Sequence, residues 1–235
     1  MSQQIRISVT NLGRVALPGF CERCFWVQLR MQHRLPFQSF PGIFSSIDSF
    51  TKRVVHGWFE QFDAPPPWLD KLGDLSGYLK PPGFQKFGIL DDEFNIHFRG
   101  EADGILLCSD NSHVIVDYKT ARHTGNQDTL YPAYEAQLNA YARIGEECGF
   151  DPVSGLALIY MEPVTDDAAA ADDENRRDDG FAMGFAADIV PVPLDFGIIR
   201  PLLAKTREIY DLADAPAGRR GCTNCELTNR LVGLL

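Results

Sequence analysis

Asp117, Tyr118 and Lys119 close the apolar run VIVDYK, and in an extended strand a carboxylate and an ammonium two residues apart leave on one face. Such a pair is a cation site beside a fixed charge. Fourteen residues upstream the run GEADGILLC carries Asp103, and SDNS at 109 to 112 reads as the turn of a hairpin joining the two runs. The hairpin lets the carboxylates meet. Two oxygen donors suit Mg²⁺ or Mn²⁺, and the lysine can orient an attacking water or neutralise charge on a phosphoryl transition state. The matching reaction is phosphodiester hydrolysis. D-x-K alone recurs by chance in soluble chains. The joint pattern is rarer: an apolar strand ending in VDYKT, GEADG at hairpin distance, and the helical segment YPAYEAQLNAYARI downstream.

Register decides whether the carboxylates converge. A turn centred between Asp110 and Asn111 sets Asp103 across from Tyr118, whereas a one-residue shift or a bulge sets it across from Asp117. Chemistry requires the second arrangement, so the sequence predicts that register or a bulge near Gly104.

Cysteine placement is a second signal. Cys21 and Cys24 form C-E-R-C near the start, and Cys222 and Cys225 form C-T-N-C near the end. Two such knuckles can close one tetrahedral thiolate site for Zn²⁺, and four thiolates equally ligate a [4Fe-4S] cluster. Either would clip the termini together. Cys108, in an apolar strand, and Cys148, on the apolar side of a helix, read as inert core thiols.

In order and type, these motifs resemble the RecB-like branch of the PD-(D/E)XK nucleases, including the CRISPR-associated and AddB-type nucleases with a cysteine-bound cluster. The matching positions are His56 in VVHGWFEQF, Asp103 in GEADGIL, Asp117 and Lys119 in VDYKT, and Gln137 with Tyr141 in QLNAY. The resemblance spans residues 21 to 225. It implies an α/β (α+β) restriction-endonuclease-like core, a central mixed sheet flanked by helices, with the termini joined by the four-cysteine metal site. It also implies that His56, Asp103, Asp117 and the Tyr118 carbonyl hold Mg²⁺ or Mn²⁺, that Lys119 positions water, and that Gln137 and Tyr141 orient the nucleic-acid strand. The implied substrate is DNA, single-stranded or with a free end, cut as by an exonuclease. Those nucleases often carry iron-sulfur, with one cysteine near the start and three near the end. This chain pairs two with two, which moves the reading toward structural zinc, with [4Fe-4S] as the alternative. Two other functions share these residues: a catalytically silent, metal-stapled DNA-binding or assembly subunit, and an endonuclease or RNA-directed nuclease.

The elements that must position these groups follow from periodicity. Tyr134, Gln137 or Leu138, Tyr141, and Ile144 or Gly145 recur at three and four residues and line one side of a helix. His56 follows SSIDSFTKRVV, where Ser46 or Asp48 could cap a helix whose Ile47, Phe50, Val54, Val55, Trp58 and Phe59 make a broad buried stripe. Pro65 to Pro67 stop that helix, with a short helix expected at 68–72. A helix from Cys24 to Met31 is followed by a loop through HRLPFQSFPGIF, a candidate substrate-side rim or packed irregular segment. Strands are expected at 93–98, 101–108, 113–118, 155–161 and 185–192, and a long helix at 195–213. The stretch TDDAAAADDENRRDDG, within 165–180, lacks apolar periodicity and reads as a disordered acidic loop.

The chain as a whole has 235 residues, 45% of them hydrophobic, enough for a sizeable core in a single nuclease domain spanning 1–235. No apolar stretch approaches about eighteen residues and the start MSQQIRISVT has no signal-peptide pattern, so a soluble, cytoplasmic protein without membrane contact is expected. The formal net charge of −10 argues against a large nonspecific nucleic-acid surface. Lys52, Arg53, Lys119, Arg122, His123 and Arg143 could still form a local positive rim. Modest intrinsic DNA affinity leaves room for a partner helicase or nuclease complex that delivers substrate.

Overall fold

The computed structural model describes residues 3–32, 41–124 and 129–234, so the segment HRLPFQSF of the expected rim lies outside the described residues. In chain order the elements begin with strand β1 (Ile5–Ser8) and helices α1 (Val9–Gly13), α2 (Glu22–Met31) and α3 (Gly42–Phe62). Strands β2 (Leu75–Leu79), β3 (Gly88–Asp91), β4 (Ile96–Arg99), β5 (Gly104–Cys108) and β6 (His113–Lys119) come next, followed by helix α4 (Tyr131–Glu147) and strand β7 (Val153–Pro163). Helix α5 (Asp167–Ala171), strands β8 (Arg176–Arg177), β9 (Gly180–Phe181) and β10 (Phe185–Val192), and helices α6 (Ile199–Asp211) and α7 (Thr223–Val232) complete the chain.

The nearly continuous apolar runs of β6 and β7 suit strands buried on both faces. They lie side by side in a five-stranded mixed sheet of order β10-β7-β6-β5-β2. Strands β6 and β7 are parallel, and the other neighbours in this sheet are antiparallel. A parallel pair needs a long crossover, which α4 supplies. A smaller sheet of order β1-β4-β3 contributes Ile5, Ile7, Ile96 and Phe98 to the core on the α4 side.

Helices cover both faces of the large sheet, which is the restriction-endonuclease-like arrangement expected. On one face Ile105, Ile115, Leu156 and Leu158 share a core with Leu138, Ala142 and Ile144 of α4 and Leu203 of α6. On the other, Leu106, Val114, Val116, Ala157 and Ile159 share a core with Val55 and Phe59 of α3. Burying a side chain of that size contributes about 1.5–3 kcal/mol, so two anchors are enough to fix the C-terminal half of α3. Successive strand residues alternate between faces, so Asp117 and Lys119 fall with Ile115 on the α4 face, and Tyr118 falls with Val116 on the α3 face.

The β5–β6 hairpin settles the register. Gly104 pairs with Val116 and the ladder runs unbroken to Leu107 opposite His113. Continued by one residue, it sets Asp103 opposite Asp117. A bulge near Gly104 is therefore unnecessary, because the turn does the work: Cys108 donates to Ser112 across a short loop in which Asn111 is left-handed, at φ 66°. The Asp110 carboxylate accepts the Ser112 N–H at 2.9 Å and stabilises that loop.

Other expectations need correction. Helix α3 begins at Gly42 behind Pro41, so neither Ser46 nor Asp48 caps it. Its buried residues are Thr51, Val55 and Phe59, a narrow i, i+4, i+8 stripe, and Phe50 is 58% exposed. The strand expected at 93–98 starts later, as β4 at Ile96, after a turn through Asn95 at φ 50°. The acidic stretch 165–180 holds α5, a 3-10 turn and the small β8–β9 ribbon. Asp166 and Asp172 cap those turns, accepting the N–H groups of Ala169 and Glu174, a local use of acids that hydrophobic periodicity does not register.

Candidate functional site

Both glycines of the motif GEADG are dictated by contact. A Cβ on Gly100 would lie 2.5 Å from Tyr141 Cε1, and one on Gly104 would lie 2.8 Å from Val116 Cγ2. The chain thus runs close beneath α4 and alongside β6, which delivers Asp103 to the end of the sheet where Asp117 and Lys119 emerge. There Asp103 accepts the Tyr118 N–H on Oδ2 at 2.8 Å. Asp117 accepts from Gln137 Nε2 on Oδ1 at 3.0 Å, and its buried Oδ2 is ion-paired with the Lys119 ammonium. The Lys119 ammonium also sits over the Tyr134 ring, 4.2 Å from its centroid.

These groups line a cavity of about 570 Å³ that includes Asp48, Asp103, Asp117, Lys119, Tyr134, Gln137 and Tyr141. Its electrostatics follow from burial. Asp117 is 3% exposed, and burial pushes its carboxyl up to about 7, with Lys119 opposing the shift and Asp103 adding to it. Burial works against the Lys119 charge as well, but Asp117 outweighs it and holds the ammonium above its usual value. Burial and then the Asp103 charge raise Asp48.

The predicted site residues divide into two groups. Asp103, Asp117, Lys119, Gln137 and Tyr141 come together around the cavity, and Tyr118 lines it. Gln137 Nε2 reaches both Asp117 and the Tyr141 hydroxyl, at 3.0 and 3.3 Å. Gln137 is 7% and Tyr141 3% exposed, and both line the cavity beside Asp117. His56 does not line this cavity: its Nδ1 is 3.4 Å from Glu60 Oε1 and its ring stands edge-on to Tyr78, in an adjoining pocket that it shares with Lys52 and Asp103.

Asp48, Lys52 and His56 are spaced by four residues on α3, and Lys52 reaches across to the strand acid: its Nζ lies 2.9 Å from Asp48 and 2.6 Å from Asp103. The i, i+4 pairing of Asp48 with Lys52 was the available signal. The expected positive rim is also largely neutralised from within. Besides Lys52 and Lys119, Arg122 pairs with Glu162, His123 with Asp188 and Arg143 with Asp91.

The second cluster lies at the joined termini. Cys21 and Cys24 at the start of α2 meet Cys222 and Cys225 at the start of α7, with Sγ separations of 3.4 to 3.6 Å for three of the pairs. All four ligand atoms lie within 4.8 Å of one another, and among the described residues no other His, Cys, Asp or Glu group of three or more meets that spacing. Burial opposes a thiolate at Cys21, but hydrogen bonds, first among them the Arg219 N–H at 3.3 Å, bring it down to about 7. Burial pushes Cys225 up to about 11. So crowded a set of thiols can ionise together where a cation is held between them. Cys108 and Cys148 are half-buried and pack against the two cores.

Among the described residues, no helix is long and apolar enough to cross a membrane. No curated protein matches the chain. Of solved structures, the one titled "Crystal structure of SSO0001" matches at 15% identity with a TM-score of 0.45, covering 92% of this chain and 81% of that one. The family model described as the PD-(D/E)XK nuclease superfamily matches residues 43–230, from the start of α3 into α7, a range that includes Asp103, Asp117 and Lys119. By that match the chain belongs to the PD-(D/E)XK nuclease superfamily.

Proposed function

We propose that this chain is a single-domain, divalent-metal-dependent nuclease of the RecB-like branch that hydrolyses DNA phosphodiester bonds, on single strands or from free ends. The observation that carries the reading is the convergence of Asp103 and Asp117, from two strands, with Lys119 in one cavity. Each of the two acids has one oxygen fixed by a neutral donor, Tyr118 N–H or Gln137, and turns the other toward an ammonium. An all-oxygen donor set of two carboxylates, that of Asp117 buried, fits Mg²⁺ or Mn²⁺, with the Tyr118 carbonyl as a further donor. A bound ion supplies Lewis-acid charge on the scissile phosphate. Gln137 holds Asp117 in place, and Tyr141 buttresses Gln137. Lys119, released from Asp117 when the acid takes another partner, orients the attacking water and offsets charge on the phosphoryl oxygens.

The four thiolates are assigned a structural Zn²⁺. Zn–S bonds of about 2.3 Å in a tetrahedron put neighbouring sulfurs about 3.8 Å apart. The separations of 3.4 to 3.6 Å are close to that, whereas a four-iron cluster would hold the sulfurs further apart.

One observation favours a second reading, a catalytically silent subunit held together by its four-cysteine metal site. Both acids are already paired with lysines, while the cysteines are arranged as ligands. A digestion assay with Mn²⁺ on linear and circular single-stranded DNA separates the two. The nuclease reading expects metal-dependent loss of linear substrate that falls by at least about 10²-fold in Asp117→Ala and Lys119→Ala. Folded wild-type protein that leaves both substrates intact supports the silent subunit, and cleaved circles would make it an endonuclease.

A further inference from the structure

The end of the large sheet where Asp117 and Lys119 emerge carries a second depression. Strands β6 and β7 finish there side by side, and Phe185 opens β10 opposite Pro163. Over these ends lies a groove of about 400 Å³ that shares Phe44, Thr120 and Ala121 with the acidic cavity, so the two adjoin along one wall. Its further walls include Ile47 of α3, Met183 and Phe185. Met183 is 42% and Phe44 37% exposed, so this apolar lining is open to solvent beside the acids. Arg122 is the one cation among the described residues that line the groove, and it is paired with Glu162 at 3.3 Å.

We infer that this groove takes the unpaired nucleobases of a DNA strand whose phosphate lies at Asp103 and Asp117, stacking them on Phe44 and Phe185. The inference deepens the nuclease reading and rests on it for the identity of the ligand. Charge decides between the forms of DNA. A duplex turns its phosphates outward, one per about 1.7 Å of axis, and keeps its base faces stacked inside. A wall with one cation, already paired, gives such a surface little to bind. An unpaired strand presents the faces of its bases, and aromatic and thioether side chains hold those faces without regard to sequence. With a net charge of −10, the chain must draw its affinity for a polyanion from contacts other than bulk attraction, and the groove supplies them beside the carboxylates.

The test compares a labelled, unpaired thymidine dodecamer with a dodecamer of the same phosphate backbone in which every site is abasic. Binding is read by fluorescence anisotropy with Mn²⁺ present and in an Asp117→Asn background, so that neither strand is cut. The intact strand is expected to bind at least about fivefold more tightly. Phe44→Ala or Phe185→Ala should remove most of that difference and leave the salt dependence as it was, because no phosphate contact is lost. Phe44→Leu and Phe185→Leu, which keep apolar volume and lose the ring, serve if alanine perturbs the fold, and thermal unfolding confirms that each variant is folded. Equal binding of the two strands, or a preference for the intact strand that survives loss of both rings, overturns this inference; Mn²⁺-dependent cleavage of the intact dodecamer by the wild type then leaves the nuclease reading standing. Ring-dependent binding alongside a wild type that cleaves nothing overturns the nuclease reading and keeps the groove as a site for DNA. Self-association that Phe44→Ala abolishes, with DNA binding unchanged, assigns the groove to a second copy of the chain and overturns the inference.

Discussion

Asp117 carries the largest electrostatic burden of any carboxylate in the cavity. In the absence of a divalent ion its carboxyl is pushed from 3.8 up to about 7, by burial first, with Asp103 adding to the shift. The folded site therefore holds the proton more tightly than the unfolded chain does. The resulting stabilisation is fully present below about pH 4 and is lost as pH rises through 7. In buffers without Mg²⁺ or Mn²⁺, the stability of the wild type relative to Asp117→Asn should fall by up to about 1.4 kcal/mol per pH unit across that window. Urea denaturation at several pH values measures it. A difference that stays flat from pH 4 to 8 would mean that Asp117 is ionised throughout, and the claim of a desolvated carboxylate would fall. At this scale the sequence was readable where one strand fixes its own side chains, as it does for Asp117 and Lys119. It was not readable for the contact of Lys52 with Asp103, because that depends on where α3 begins relative to the sheet.

Elements meet at the site through close approaches, and Gly100 is the tightest test of one. Its substitution by alanine would drive a Cβ to within 2.5 Å of Tyr141 Cε1, in a core where Tyr141 also lies against Phe87. Neither the strand end nor α4 can move away freely, since Leu138 and Ile144 of α4 are fully buried on the sheet. Gly100→Ala should cost about 1–3 kcal/mol, seen as a lower thermal midpoint. It should also cut Mn²⁺-dependent cleavage, because Tyr141 supports Gln137 and Gln137 holds Asp117. A variant as stable and as active as wild type would show that the helix is not pressed against this loop. Long elements with one strong pattern were legible: β10 spans the expected 185–192, and β6 and α4 differ by a few residues at most. Strands β1 and β2, of 4 and 5 residues, were missed because so short a segment shows too little alternation to separate it from a loop. The exposed start of α3 was missed for the opposite reason, since its apolar Ile43 and Phe44 resemble an irregular aromatic segment until the helix is seen to carry them outward.

At the scale of the molecule, the four-cysteine site closes the chain on itself across some two hundred residues, from Cys21 to Cys225. What it holds differs on its two sides. Helix α2 has its own anchors in Phe25 and Leu29, both in the main core. Helix α7 has none: Cys225 is its buried residue, while Leu227, Leu231 and Val232 are exposed. Side-chain packing alone gives α7 little reason to stay, and a ten-residue helix is marginal in water without support. Removing the metal, by a strong chelator or by Cys225→Ser, should therefore release α7 and leave the sheet folded. In hydrogen exchange, amides of 223–232 should lose their protection, whereas those of β6 and β7 should change little. The thermal midpoint should fall too, because binding free energy at such a site is folding free energy for the segment it ties down. Uniform loss of protection through β6 would instead make the cysteine site a keystone of the whole core. Unchanged protection in α7 would mean that contacts such as Arg23 Nη2 to Asn229 Oδ1, at 3.1 Å, hold the helix without help from the thiolates.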